Sequence, residues 1–410
     1  QVIGETQGHF RRPLSYVINW SRRQTVLELL DKVISREVYK IPSLSRFLGN
    51  VSQHPILGIP ILIIILYLIK LIVGNVGAGI CVDFIETTIF GKFINPAAVW
   101  IAEHLFPWNW LRDLFVGEFG LVTMGLTYAV AIVFPVVGFF FLIFGILEDT
   151  GYLPRLAVMA NKIFRAMGLS GKAVLPMVLG LGCDTMATLT TRILDTKKER
   201  VIATLLLALA VPCSAQLGVM LGILGGISGT AFIVYVGVVL MQLFVVGFLA
   251  GKIIRGEKSD FILDIPPFRM PKVGNVIAKT VYRIEWYLKE ALPLFLLGTF
   301  ILYVLDKTRA LGAIQGVARP VVTSFLGLPE KATQAFIMGF LRRDYGAAGL
   351  NDLFQQGKLD TVQTLVSLVV ITLFVPCIAN VFVIIKEQGL RKAIYMLCFI
   401  FPYAFIVGGA

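Results

Sequence analysis

The run AFIVYVGVVLMQLFVVGFLAG, Ala231–Gly251, is 21 residues without a single charge. About 20 apolar residues in a helix are enough to cross the hydrocarbon core of a bilayer. Within lipid, every backbone N–H and C=O must be satisfied inside the segment, which leaves the helix as the structure of such a run. ILGIPILIIILYLIKLIV, Ile56–Val73, is a second segment of this kind. The short alternating strands of an outer-membrane barrel are absent. Composition agrees: 57% of the 410 residues are hydrophobic and 15% charged, where soluble domains carry about a quarter charged. The expected fold is an all-α polytopic membrane protein.

The formal charge of +12 fits basic loops on the cytoplasmic side, facing anionic lipid, better than it fits a nucleic-acid partner. The five cysteines are odd in number and sit mostly in apolar segments, so no disulfide framework is expected. His9, His54 and His104 lie outside the spans, which excludes a histidine metal site and a Ser-His-Asp triad. GLSGKA resembles a phosphate loop, but Ala166 and Ala173 stand where the first Gly and the Ser/Thr belong. Neither an enzyme nor a permanently bound cofactor is expected. The first residue is Gln1, with no signal-like region behind it, which suggests an N-terminal part removed or encoded separately.

Residues 1–55 carry eight Lys/Arg against four Asp/Glu, and TVLELLDKVI has helical apolar spacing. They read as a cytoplasmic juxtamembrane amphipathic segment. Residues 56–118 read as a first span and an external interfacial stretch holding Trp100, Trp108 and Trp110. Further spans are expected near 119–147, 201–225, 231–251, 286–305, 361–385 and 393–408. Residues 252–285 form a basic cytoplasmic linker, with DIPPFRMP in it too proline-rich for helix. Two glycine-rich, charged segments, 173–194 and 332–350, do not behave as plain spans. If the first crossed fully, the basic linker would end up outside, against the positive-inside trend. A re-entrant or broken helix restores the parity.

These two segments belong to an internal repeat. GLSGKAVLPMVLG, Gly168–Gly180, aligns with GLPEKATQAFIMG, Gly327–Gly339, at an offset of 159. Upstream, ILED (Ile146–Asp149) resembles VLDK (Val304–Lys307); downstream, LLLALAVPCSAQ resembles LVVITLFVPCIAN. Each copy, 119–251 and 286–410, reads as span, connector, glycine-rich dip, and a helix interrupted at Val-Pro-Cys. Under the topology above the copies are inverted, the arrangement in which secondary transporters place broken helices around a substrate site near the midplane. A channel with a filter at that depth is the other architecture it allows.

Charge inside a membrane is costly and marks a pathway. Asp184 follows Cys183 in the first dip, and thiols recur at Pro212-Cys213 and Pro376-Cys377. Thiolate with carboxylate suits a borderline divalent metal such as Fe(II) better than Mg or Ca. The ordinary role of a lone cysteine, a small core residue, competes with this reading, and Cys81 and Cys398 stay with it. In FLRRDYGAAGL, the second copy's dip, Arg342, Arg343 and Asp344 read as an Arg–Asp pair that locks a gate. Glu148 and Asp149 either line a vestibule or cap their helix. Gln216 and Asn380 sit three residues beyond Cys213 and Cys377, on the pathway.

HPILGIPILI, GILEDTGYLPRLAVM, GKAVLPMVLGLGCDTMATLTTRIL, VPCSAQLGVM, ILDIPPFRMP and GFLRRDYGAAGL stand in one order from about His54 onward. In them the chain resembles the membrane portion of the ferrous iron transport protein B family. The resemblance implies a multi-pass importer of Fe(II) in the prokaryotic inner membrane, with its N-terminus cytoplasmic. It implies Cys183, Cys213 and Cys377 at the metal site beside Asp184, where many relatives have Asn, so Mn(II) is an alternative cargo. It also implies a cytosolic GTP-binding domain that would carry any GTP, small accessory proteins and self-association. The family's gate module is shared distantly with nucleoside transporters, which makes a nucleoside or small-metabolite carrier the other reading.

Overall fold

A computed structural model describes residues 14–33, 43–54, 57–105, 107–117, 120–256, 265–341, 343–374 and 376–410. They are helical, with no strand among them. The chain divides into two units, Gln1–Arg46 and Phe47–Ala410. In the first, α1 (Leu14–Val33) covers the helical pattern expected there. Residues 20–30 are all exposed, apolar and polar alike, so no face of that stretch is buried.

Among the described residues of the second unit, five helices are long and apolar enough to cross a membrane, or six if one bent pair counts as a span. The first, α2 (Gly58–Leu105), does not stop at Val73 as the sequence suggested. It continues through wide π-helical turns at Lys70–Cys81 and Phe84–Ile94 into the tryptophan-bearing stretch. Nothing in 74–94 breaks a helix outright: it holds glycines but no proline.

The two copies of the repeat recur element by element. In the first, α3 (Phe134–Asp149) leads to the connector α4 (Tyr152–Ala166). Then come α5 (Val174–Gly180) and α6 (Asp184–Thr190), and next α7 (Lys197–Ala210), α8 (Ser214–Ile227) and α9 (Gly229–Ile253). In the second, α10 (Val273–Lys307) and α11 (Ala310–Pro320) precede α12 (Glu330–Leu341) and α13 (Arg343–Gln355). The copy ends with α14 (Thr361–Phe374), α15 (Ile378–Gln388) and α16 (Leu390–Gly409). Gly168 and Gly327, equivalent positions at the connector ends, both adopt positive φ, +75° and +65°. A side chain there would be strained.

Both dips are helical hairpins. α5 and α6 have seven residues each, about 10 Å of helix, too short to span. They pack on one another, as do α12 and α13. α4 and the segment leading into α5 meet at 110°. The tip of the first hairpin is Leu181-Gly182-Cys183; a Cβ on Gly182 would lie 2.4 Å from the Phe140 ring. In the second hairpin a Cβ on Gly346 would lie 2.4 Å from the Cα of Gly339. Helices surrounded by lipid gain little from the hydrophobic effect and are held by such close backbone approach.

The hairpins pack crosswise. α6 lies on α15 of the other copy, and α13 lies on α8. One core cluster accordingly draws on both copies, including Leu206, Leu209 and Met220 with Phe336, Leu368 and Ile400.

Glu148 and Asp149, at the end of α3, are held by ion pairs and hydrogen bonds to residues of the linker. Glu148 pairs with Arg283 at 2.6 Å and Lys279 at 3.2 Å. The Asp149 carboxylate accepts from the Lys272 backbone N–H at 2.8 Å and from Arg269 at 3.4 Å. Arg155, buried, donates to the carbonyls of Gly151 and Pro266. The end of α3 is thus clamped to the linker, whose residues 265–272 are extended as their prolines require and whose helix α10 starts at Val273.

If close backbone contact holds the second hairpin, Gly346→Val should cost about 1–3 kcal/mol. Gly274→Ala, which meets nothing within 4 Å, should leave the thermal midpoint unmoved. Thermal unfolding in detergent would measure both; equal midpoints would refute the packing argument.

Candidate metal pathway

Three cysteines stand at the same kind of place. Cys183, Cys213 and Cys377 are each the residue before the first turn of a helix, α6, α8 and α15, immediately after a break in the chain. Pro212 and Pro376 make two of the breaks by removing a donor and clashing with the preceding turn; Gly182 makes the third. The N–H groups of Met186, Gln216 and Asn380, three residues on, face the thiols, though none closes a cap hydrogen bond of normal geometry. All three thiols are free and half-buried.

The breaks meet. The carbonyl of Gly182 accepts from the Ser214 N–H at 3.2 Å and from its hydroxyl at 3.0 Å, which ties the first hairpin tip to the turn carrying Cys213. Thr188 on α6 donates to Oδ1 of Asn380 at 2.9 Å, and the Thr185 hydroxyl reaches the Cys377 thiol. Asp184 is close enough to act electrostatically on all three thiols. The structure therefore brings Cys183, Asp184, Cys213 and Cys377 into one neighbourhood.

An arginine is already there. Arg343, at the start of α13, forms a buried ion pair with Oδ2 of Asp184; each side chain is 3% exposed. The same guanidinium donates to the carbonyls of Val211 at 3.1 Å and Ala208 at 2.9 Å. Those carbonyls belong to the C-terminal end of α7, where Pro212 interrupts the helix and the dipole end is negative. The sequence placed Arg343 in an Arg–Asp lock within its own segment. An Arg–Asp pair does form, but its acid is Asp184 of the other copy. Arg342 lies outside the described residues, as does the side chain of Asp344.

Asp184 and Arg343 are 159 residues apart, the offset that aligns Gly168 with Gly327 and Gly180 with Gly339. They are the same position in the two copies, the first residue of the second hairpin arm. That equivalence was readable from the repeat and was missed, as were Thr185, Ser214 and the two carbonyls. The carbonyls carry no signal in side-chain identity.

Among the described residues, no group of three or more His, Cys, Asp or Glu is arranged to hold a metal ion. Yet three buried polar atoms here have no hydrogen-bond partner: Oδ1 of Asp184, Oε1 of Gln216 and Nδ2 of Asn380. Gln216 spends its amide N–H on the carbonyl of Ile371, at 3.2 Å. Unpaired buried polar atoms are rare and costly.

Comparison with known proteins agrees with this architecture. A family described as "Gate: Nucleoside recognition" matches residues 130–227 and again 288–391. One described as "Ferrous iron transport protein B C terminus" matches 231–283. The Fe(2+) transporter FeoB of Methanocaldococcus jannaschii is 26% identical over 316 residues, 68% of this chain and 47% of its own length. That of Salmonella typhimurium is 25% identical over 354 residues, 82% of this chain and 45% of its own. That of Legionella pneumophila (strain Lens) is 26% identical over 276 residues, 66% and 36%. The chain spans less than half the length of these relatives. No solved structure matches it.

Removing one partner of a buried pair strands the other's charge, so Arg343→Met should destabilise the protein by about 3–5 kcal/mol. Asp184→Leu combined with Arg343→Met should recover most of that loss, since a buried pair is replaceable by apolar side chains. A double variant no more stable than Arg343→Met alone would show that the pair is not what couples the hairpins.

Proposed function

We propose that this chain, the C-terminal membrane portion of a ferrous iron transport protein B family member, is the path by which Fe(II) crosses the prokaryotic inner membrane. The observation that carries the reading is the meeting of three thiols and one carboxylate at helix breaks shared by both Gate copies. Soft sulfur with a single carboxylate selects a borderline transition metal over Mg or Ca. Broken helices inside a membrane are tolerated where they surround a pathway. Asp184 gives the site more negative charge than an amide would, which keeps Mn(II) as an alternative cargo.

In this reading the two hairpins are inverted gates that meet near the membrane midplane. Metal would take up Cys183, Asp184, Cys213 and Cys377, with Oε1 of Gln216 as a further oxygen donor. Chemistry at this site is ligand exchange, not catalysis. A cytosolic GTP-binding domain would bias the gate from the N-terminal, cytoplasmic side. A carrier of nucleosides on the same Gate scaffold would have Oε1 of Gln216 and Nδ2 of Asn380 to read a base, but it would leave the three thiols and Asp184 without a role.

The reading predicts Fe(II) uptake by vesicles containing the purified chain. Cys183→Ser, Cys213→Ser and Cys377→Ser should each lower uptake roughly tenfold or more. Cys398→Ser, at an exposed position, should transport as the parent does. Folded variants of all three site cysteines that transport at the parental rate would reject the site, and saturable nucleoside binding without metal binding would favour the other carrier class.

A further inference from the structure

We propose that Arg343 is a tethered stand-in for the transported cation. Its guanidinium fills a cation seat made by the Asp184 carboxylate and the carbonyls of Ala208 and Val211, so an incoming metal ion must displace it. The inference rests on the iron-permease reading for the identity of the cargo, though not for the existence of the seat.

Three features of the seat point to a cation. Three oxygens accept from the guanidinium there: one of a carboxylate and two carbonyls at the interrupted C-terminal end of α7. Helix C-terminal ends and unwound carbonyls of this kind coordinate cations inside membrane transporters. Oδ1 of Asp184, 3% exposed and without a hydrogen-bond partner, leaves half of the carboxylate unused by the arginine. A guanidinium satisfies the seat only in part; a compact divalent ion could engage both carboxylate oxygens.

The occupant also joins the two hairpins. Arg343 opens the second arm of the second hairpin, and Asp184 opens the second arm of the first. The interaction pulls the two tips together at equivalent positions of the repeat. While the guanidinium is seated, the tips are held closed and the carboxylate nearest the three thiols is taken. Its withdrawal frees the carboxylate and releases the tips in one step. A metal that binds with Arg343 withdrawn gains affinity only after overcoming the seated state, so its apparent affinity is reduced by the fraction of molecules in which the seat is filled. The device sets specificity as well: a monovalent ion has no charge advantage over the guanidinium, whereas a divalent ion does.

Mn(II) alone, followed by electron paramagnetic resonance with the purified chain in detergent, is the probe. Arg343→Ala should bind Mn(II) at least about tenfold more tightly than the parent, as expected if nine in ten parental molecules have the seat filled. Millimolar guanidinium chloride should weaken that binding back towards the parental value in Arg343→Ala and leave the parent unchanged. A merely structural arginine would give no such chemical competition. Parental affinity in Arg343→Ala, or indifference to guanidinium, overturns the proposal. If Arg343→Ala does not fold, Arg343→Lys substitutes: its ammonium cannot reach the carboxylate and both carbonyls together, so Mn(II) should bind more tightly than to the parent, and an unchanged affinity is the refuting result. Absence of Fe(II) uptake by the parent in vesicles would sink the cargo assignment while leaving the Mn(II) and guanidinium results to judge the seat.

Discussion

A single buried ion pair organises the centre of this molecule. Asp184 and Arg343 are both shielded from solvent, so neither charge is tolerable without the other. Their union fixes the distance between two hairpin tips, and with it the positions of the helix breaks behind them. The first tip is bound to the turn at Cys213 through Gly182 and Ser214, and its arm to Asn380 through Thr188. The second is bound to the end of α7 through the same guanidinium that pairs with Asp184. The three cysteines are collected because the broken ends that carry them are collected.

Much of this was legible in the sequence. Apolar runs gave the membrane class, Pro212 and Pro376 gave the interruptions, and the recurrence of Gly-Leu-x-x-Lys with Pro-Cys gave the duplication. Both dips proved to be hairpins, with glycine at positions 182 and 346 permitting contacts that a Cβ would forbid. What was not legible has a common physical origin. Partners across copies depend on how hairpins pack against one another, and periodicity within a segment carries no information about that. Hence Asp184 was found and its arginine was found, but not as a pair. The partners of Glu148 and Asp149 were hidden for the same reason: Arg283, Lys279, Lys272 and Arg269 lie more than a hundred residues on. The helix through 74–105 was missed because interfacial tryptophans say where a segment sits relative to lipid, not whether it is helical.

The donor chemistry is divided within a short stretch of chain. Sulfur comes from the starts of three helices, oxygen from the end of a fourth and from Asp184. Helix starts favour negative ligands such as thiolate, and helix ends favour cations. Opposed broken helices therefore present both preferences to one region without any added charge. The two segments of this chain that match the Gate family interlock here, and the proposed pathway lies where they do.

The crosswise seating of the hairpins bears on how the protein is made. The first copy leaves the ribosome with its hairpin complete and Asp184 in place, but Arg343 follows 159 residues later. At roughly 5–20 residues per second that is a wait of about 8–32 s. During it, α6 has no α15 to lie on and α8 has no α13. Neither copy is a finished folding unit, and the membrane must shelter an acidic hairpin until its counterpart is synthesised. Closure of the paired hairpins thus waits on synthesis of the second copy.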